Sequence, residues 1–527
     1  MKNNPKFTQE DIQRFWQQHQ RFLKTNLTTE SANALTANLS GLCQTNLPQA
    51  FNLFKQVELN AIRALENYIP LIEQLQQHLH QTLALGNKVY LIGCGSSGRL
   101  AILLERLYGI YNSSSDRRII GINAAGDVAL VKSIEQFEDH ANFGVKQLIQ
   151  QGYTPHDLII GLSASGESPF ILQTLEYALT TSTIKPWLIF NNDTASLLER
   201  NPQHIAANPS LNLLSLNVGA MALTGSTRLQ ATTAMQIALG IALCNTHTNI
   251  HRQIEEIYHI IEDVPLANMA PITTIEQNII AQQQFILYET NDALLGLSLL
   301  ADTTERSPTF NLAQFENFTP LNGDKKHSDL TKSPSNPSIF YLSLLNTTSA
   351  ATAWNMLLAR APTCLEWQNF PQTSRTYFNG FDLSAASLRR RGNYLPQMQH
   401  SEAWLLKNNH LHIKLNNSET HFILPHDLFR QTLVYKLLLN SHSTLMLGAL
   451  GYFEGNMMLS LTPSNFKLID RAIRYSQFIL QQQYSLTIDY NTLAKITFAE
   501  IENLRPGESI VKKVVAKFIS HRNHQTY

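Results

Sequence analysis

Val89-Tyr-Leu-Ile-Gly-Cys-Gly-Ser-Ser-Gly-Arg-Leu100 runs an apolar strand pattern straight into a Gly/Ser turn that opens a helix. Such a turn suits a phosphate. Backbone N–H groups and the positive end of the helix dipole converge on an anion there, and Ser96 and Ser97 add hydroxyl donors. Asp157-Leu-Ile-Ile-Gly-Leu-Ser-Ala-Ser-Gly-Glu-Ser-Pro169 repeats the chemistry about 70 residues later, again a strand, a hydroxyl-rich turn and a helical run over 170–178. Two such turns belong side by side at the carboxyl edge of one parallel sheet. Together they propose a phosphorylated small molecule as ligand.

Two other phosphate loops fit less well. The Walker pattern requires Gly-Lys-Ser/Thr, whereas Arg99 follows Gly98. Gly93, Gly95 and Gly98 satisfy Gly-x-Gly-x-x-Gly, and the strand 118–123 runs into Asn-Ala-Ala-Gly-Asp, near where a ribose-binding acid belongs. The serines argue against a nucleotide.

The elements that must hold these turns follow from periodicity. Residues 1–80 carry apolar positions three and four apart and read as a helical N-terminal segment. Strands near 88–92, 118–122, 157–162, 186–190 and 213–216 alternate with helical stretches, the βαβ pattern of a parallel sheet covered on both faces. The pattern restarts with a helix over 250–264 and strand candidates at 285–288, 338–343, 364–367 and 421–424. The polar, Pro-containing stretch 322–337 reads as a surface loop. The expected architecture is α/β: a helical segment 1–80, a first domain 81–248 with an intact phosphate loop, a second and degenerate domain 249–462, each built on a parallel sheet, and a lid-like helical tail 463–527.

Composition narrows the partners. With 40 basic and 40 acidic residues in 527, no basic field recommends nucleic acid or an anionic membrane. No secretory signal and no apolar run long enough to span a bilayer is found, so a cytoplasmic protein is expected. Cys43, Cys94, Cys244 and Cys364 are too scattered for a disulfide framework or a CxxC metal site, and no metal or cofactor is expected.

Gly-Cys-Gly-Ser-Ser-Gly-Arg-Leu (93–100), Gly-Leu-Ser-Ala-Ser-Gly-Glu-Ser-Pro (161–169) and Leu-Thr-Gly-Ser-Thr-Arg-Leu (223–229) resemble three ordered motifs of the sugar isomerase (SIS) domain. Within that superfamily they are similar to the branch of the N-acetylmuramic acid 6-phosphate etherases and glucokinase regulatory protein. The resemblance implies that Gly95, Ser96, Ser97, Ser163, Ser165 and Ser168 surround the phosphate, with Arg99 a further ligand or a helix-surface residue. It assigns Glu138, in Phe137-Glu-Asp139, as an acid/base or sugar-hydroxyl ligand. The second etherase glutamate falls at Leu107 in the first repeat, and Glu105, two residues away, points about 200° round the helix. Asp302-Thr-Thr-Glu-Arg-Ser-Pro-Thr-Phe310 carries the whole etherase string in the second repeat, making Glu305 the match. Likewise Gln236 replaces a family lysine, and Lys436 supplies one from the second repeat. One composite pocket per chain is the implication.

Three functions remain open at this point. The two-domain length favours a sugar-phosphate-binding regulator similar to glucokinase regulatory protein, with a sugar kinase or another protein as partner. The paired Glu138 and Glu305 fit an etherase releasing D-lactate. The third is an interaction protein with a decayed site.

Overall fold

The first sheet is parallel throughout, in the order β2-β1-β3-β4-β5, with β1 Val89–Gly93, β2 Ile119–Asn123, β3 Leu158–Leu162, β4 Trp187–Phe190 and β5 Asn212–Ser215. β1 and β3 are buried along their whole length, as strands covered on both faces must be. The connections from β1 and β3 leave in opposite directions across the sheet, so its topological switch point lies between them. Gly93 pairs with Leu162 in the ladder, so the two serine turns emerge from neighbouring strand ends at that switch point. The computed structural model describes residues 7–24, 26–112, 117–244, 249–317, 337–395 and 398–525. Of the polar stretch expected to be a surface loop, 322–336 lies outside them.

The second sheet departs from expectation. Its order is β10-β9-β8-β6-β7, with β6 Phe285–Thr290, β7 Phe340–Leu344, β8 Gln399–Lys407, β9 His410–Leu415 and β10 Ser418–Ile423. β7, β6 and β8 are parallel, but β8, β9 and β10 form an antiparallel meander, so the sheet is mixed. The reason is local. Asn408 and Asn409 both adopt positive φ, 46° and 61°, between β8 and β9, the conformation a two-residue primed turn requires. The segment 364–367 makes no ladder; the Leu365 N–H donates to the Thr373 carbonyl at 2.9 Å.

Four helices fill the space between the sheets: α1 Gly95–Asn112, α2 Gln230–Cys244, α3 Ala293–Phe310 and α4 Leu428–Ala449. α1 packs on α2 and α3, and α4 packs on the same two, closing a ring. α2 is apolar and buried all round, as a helix enclosed by neighbours should be. The expected C-terminal helices are present over 466–484, 490–501 and 510–525. The first, α5 Phe466–Tyr484, is tied to the N-terminal segment by Arg471, whose Nη2 lies 2.6 Å from Glu30 Oε1. Among the described residues no helix is long and apolar enough to cross a membrane.

Candidate functional site

The turn after β1 is held by backbone crowding that only glycine tolerates. A Cβ on Gly93 would sit 2.5 Å from the Gly98 nitrogen, and one on Gly98 would sit 2.1 Å from Asn123 Oδ1. α1 therefore begins hard against the end of its own strand, with Ser96 and Ser97 in its first turn. Ser97 is buried, and its hydroxyl makes no hydrogen bond within the described residues. After β3, Ser163 Oγ accepts from the Gly166 N–H at 3.1 Å and the Ser168 N–H at 3.4 Å, while Ser165 Oγ accepts from the Glu167 N–H at 3.3 Å. Each of these hydroxyls has used acceptor capacity and keeps its proton to donate. Ser168 precedes the helix Pro169–Thr181 without spending its side chain on a cap. Gly95 and all five serines line one cavity at the switch point.

Glu138 and Lys467 line the same cavity. Glu138 reaches it from the loop after β2 and is clamped by α5: Asn465 Nδ2 donates to Oε2 at 2.9 Å, and Lys467 Nζ donates to Oε1 at 3.0 Å. Asn465 also caps α5, accepting from the Leu468 N–H at 2.9 Å, so one residue starts the helix and places its lysine. Burial pulls the Lys467 ammonium down, but the Glu138 carboxylate outweighs it and the net direction is up. The cation beside the serines is thus Lys467. No motif in the sequence marks it, because its position depends on α5 folding back over the edge of the first sheet.

A second cavity shares Ser96 with the first and receives polar residues from every helix of the ring, among them Arg99, Gln236, Glu305 and Lys436. Lys436 Nζ donates to the Arg228 carbonyl and lines this second cavity with Glu305 and Ser96. Arg99 is buried, not on a helix surface; its Nε donates to the Ala129 carbonyl at 3.0 Å and its Nη1 lies 3.7 Å from Glu305 Oε1. Burial pushes the Glu305 carboxyl up, opposed in part by Arg99 and Lys436. Glu105 belongs elsewhere, paired with Arg360 at 3.0 Å. Gln236 Nε2 donates to Thr432 Oγ1 at 3.0 Å, bridging α2 to α4.

The corresponding turn of the second sheet has no room for an anion. Asp292 caps α3 there, its Oδ1 accepting from the Leu295 N–H at 2.8 Å, so a carboxylate already occupies the helix N-terminus. Two clusters bring three metal-ligating side chains close together. One, His412, Glu419 and His421, lies on the outer hairpin, and the other is the buried Glu276–Glu402–His442 group, in which His442 Nε2 and Glu276 Oε2 are 2.6 Å apart. Neither lines the serine cavity.

Asp139 gives the site a pH signature. Burial, then the neighbouring Glu138 charge, pushes its carboxyl up to about 7, against the Phe466 N–H that donates to it at 3.1 Å. The folded state therefore holds this proton more tightly than the unfolded chain, whose aspartates titrate near 3.9. That contribution to stability is full below about pH 4 and lost as pH rises to about 7. Asp139→Asn should remove the dependence: its melting temperature relative to wild type should rise between pH 5 and pH 7.5. A constant difference would show that Asp139 is ionised throughout.

Residues 70–179 match the glucokinase regulatory protein N-terminal SIS domain. The chain is 29% identical over 299 residues to the N-acetylmuramic acid 6-phosphate etherase of Staphylococcus epidermidis, covering 55% of this chain and 96% of that protein. It is 31% identical over 218 residues to the etherase of Francisella philomiragia, covering 41% and 69%. A solved tagatose-6-phosphate ketose/aldose isomerase from Escherichia coli aligns over 82% of this chain and 99% of its own, with 13% identity and a TM-score of 0.43.

Proposed function

We propose that this chain, which belongs to the N-acetylmuramic acid 6-phosphate etherase family of SIS-domain proteins, binds a hexosamine 6-phosphate among its serines and eliminates lactate from it. The observation that carries this reading is that two glutamates from distant segments line cavities that adjoin at Ser96. Glu138 comes from the loop after β2 and Glu305 from α3, and the cavities they line share Ser96. The phosphate sits at the N-terminus of α1, between the serine hydroxyls and Lys467. Glu138 takes the proton from the carbon beside the sugar carbonyl. The electron pair forms a carbon–carbon double bond as the ether C–O bond breaks, and Glu305 gives its proton to the departing lactate oxygen. Burial shifts Glu305 towards the protonated form that this step uses. The names of the relatives support this reading over the regulator that chain length alone favours.

Purified protein incubated with N-acetylmuramic acid 6-phosphate should release D-lactate, and Glu138→Gln and Glu305→Gln should each slow release by about 10²–10⁴-fold. One observation favours the second reading, a ligand-responsive regulator: α5 supplies Lys467, so a bound phosphate would touch both the first sheet and the C-terminal helices and favour one arrangement of the two. Absence of lactate together with a thermal shift on fructose 6-phosphate would select it.

A further inference from the structure

The hairpin of β9 and β10 gathers two histidines and a glutamate on the face that its buried residues leave outward. His421 stands directly opposite His412 in the register, and Glu419 precedes His421 by two residues, on the same side of the strand. The two imidazole rings are stacked, 4.3 Å apart and 10° from parallel. Both turn Nε2 to one carboxylate: His412 Nε2 lies 3.2 Å from Glu419 Oε2, and His421 Nε2 lies 3.9 Å from Oε1. Lys414 is the cross-strand partner of Glu419, yet among the described residues the carboxylate pairs with the imidazoles and not with that cation. Nine residues separate the histidines along the chain, so only the hairpin's register makes them neighbours.

We propose that this hairpin binds one divalent ion of the zinc class, held by His412 Nε2, His421 Nε2 and the Glu419 carboxylate. The inference is independent of the phosphosugar reading, because none of the three residues lines the serine cavity. Imidazole nitrogen with carboxylate oxygen suits zinc and its late first-row neighbours, whereas magnesium selects oxygen alone. Zinc bonds of about 2.0–2.2 Å at tetrahedral angles set neighbouring ligand atoms about 3.3–3.6 Å apart. The separations of 3.2 and 3.9 Å bracket that range, so small side-chain turns complete the set. The Glu276–Glu402–His442 group fails the same comparison: His442 Nε2 and Glu276 Oε2 are only 2.6 Å apart, a hydrogen-bond distance, and both side chains are fully enclosed. The hairpin side chains are 34%, 55% and 61% exposed for His412, Glu419 and His421, so an ion can enter from solvent and keep a fourth position for water. Bound there, it ties β9 to β10, the end strand of the second sheet.

The test titrates zinc chloride into the full chain by calorimetry, with magnesium chloride as the hard-cation control. Zinc should fill a site that His421→Ala and Glu419→Gln each weaken by at least about 10-fold, and magnesium should leave it empty. The substituted side chains are exposed, so the metal-free variants should melt as the wild type does. Hydrogen exchange supplies a readout local to the hairpin: amides within 410–423 should slow when zinc is added to the wild type, and should not when it is added to the His412→Ala/His421→Ala protein. Equal zinc affinity in the wild type and the double variant would overturn the site, since the ion would then sit elsewhere on the chain. Absence of zinc binding, or binding that leaves hairpin exchange unchanged, would overturn it as well.

Discussion

Ser97→Asp should abolish binding of any hexose 6-phosphate while leaving the chain folded. Ser97 lies in the first turn of α1, buried against the phosphate site, and its hydroxyl is uncommitted. A carboxylate there would be welcomed by the helix N-terminus, so the fold has little reason to fail. The second sheet already tolerates a carboxylate at the corresponding helix start, where the N-cap Asp292 accepts from the Leu295 N–H at the head of α3. The same carboxylate would face the incoming phosphate. Two unit charges about 4 Å apart repel by about 4 kcal/mol at an effective dielectric of 20, which corresponds to about 10³-fold in affinity. Titration calorimetry with fructose 6-phosphate, alongside a melting curve, checks both halves of the expectation. An affinity within a few-fold of wild type would mean that the phosphate does not lie at this turn.

The first sheet was legible because its strands are short, apolar and buried on both faces, so periodicity and turn residues alone place them to within about a residue of 89–93, 119–123, 158–162, 187–190 and 212–215. The serine turns were legible for the same reason: their chemistry is local to a strand end. The second sheet was harder to read. β9 and β10 alternate buried and exposed residues and carry histidine, lysine and glutamate outward, so no apolar run marks β9, and only the end of β10 is caught by the candidate at 421–424. The signal that could have found them is the Asn408-Asn409 pair and the positive-φ Asn416, flanked by alternating residues. Cys364-Leu-Glu-Trp367 misled in the opposite direction, because Leu365 is buried by a loop and not by a neighbouring strand. Lys467 had no signal of its own. Its role depends on which distant elements fold against the cleft, a property of tertiary packing that spacing along one chain does not encode.

Arg228→Ala should cost the fold about 3–5 kcal/mol, the penalty of breaking a buried ion pair by removing one partner. Arg228 leaves the loop before α2 and crosses to the other two ring helices, where its Nη1 lies 2.6 Å from Asp302 Oδ1 on α3 and its Nη2 donates to Thr444 Oγ1 at 2.8 Å on α4. Both members of the pair are 3% exposed, so water cannot replace the lost partner. Asp302 retains Arg306, 2.7 Å away, which places the expected cost nearer the lower end of that range. Urea unfolding followed by tryptophan fluorescence measures it, and a cost below about 1 kcal/mol would show that the pair does not tie the first-sheet loop to the second-sheet helices. Acid supplies an independent check. Burial alone would raise the Asp302 carboxyl, but Arg306 and Arg228 outweigh it and hold it below the usual aspartate range. Its contribution is therefore present above about pH 4, where the unfolded group ionises, and is lost as pH falls through the lower folded value. The gap in stability between wild type and Arg228→Ala should accordingly narrow below pH 4, because protonation of Asp302 weakens in the wild type the same contact that the substitution deletes.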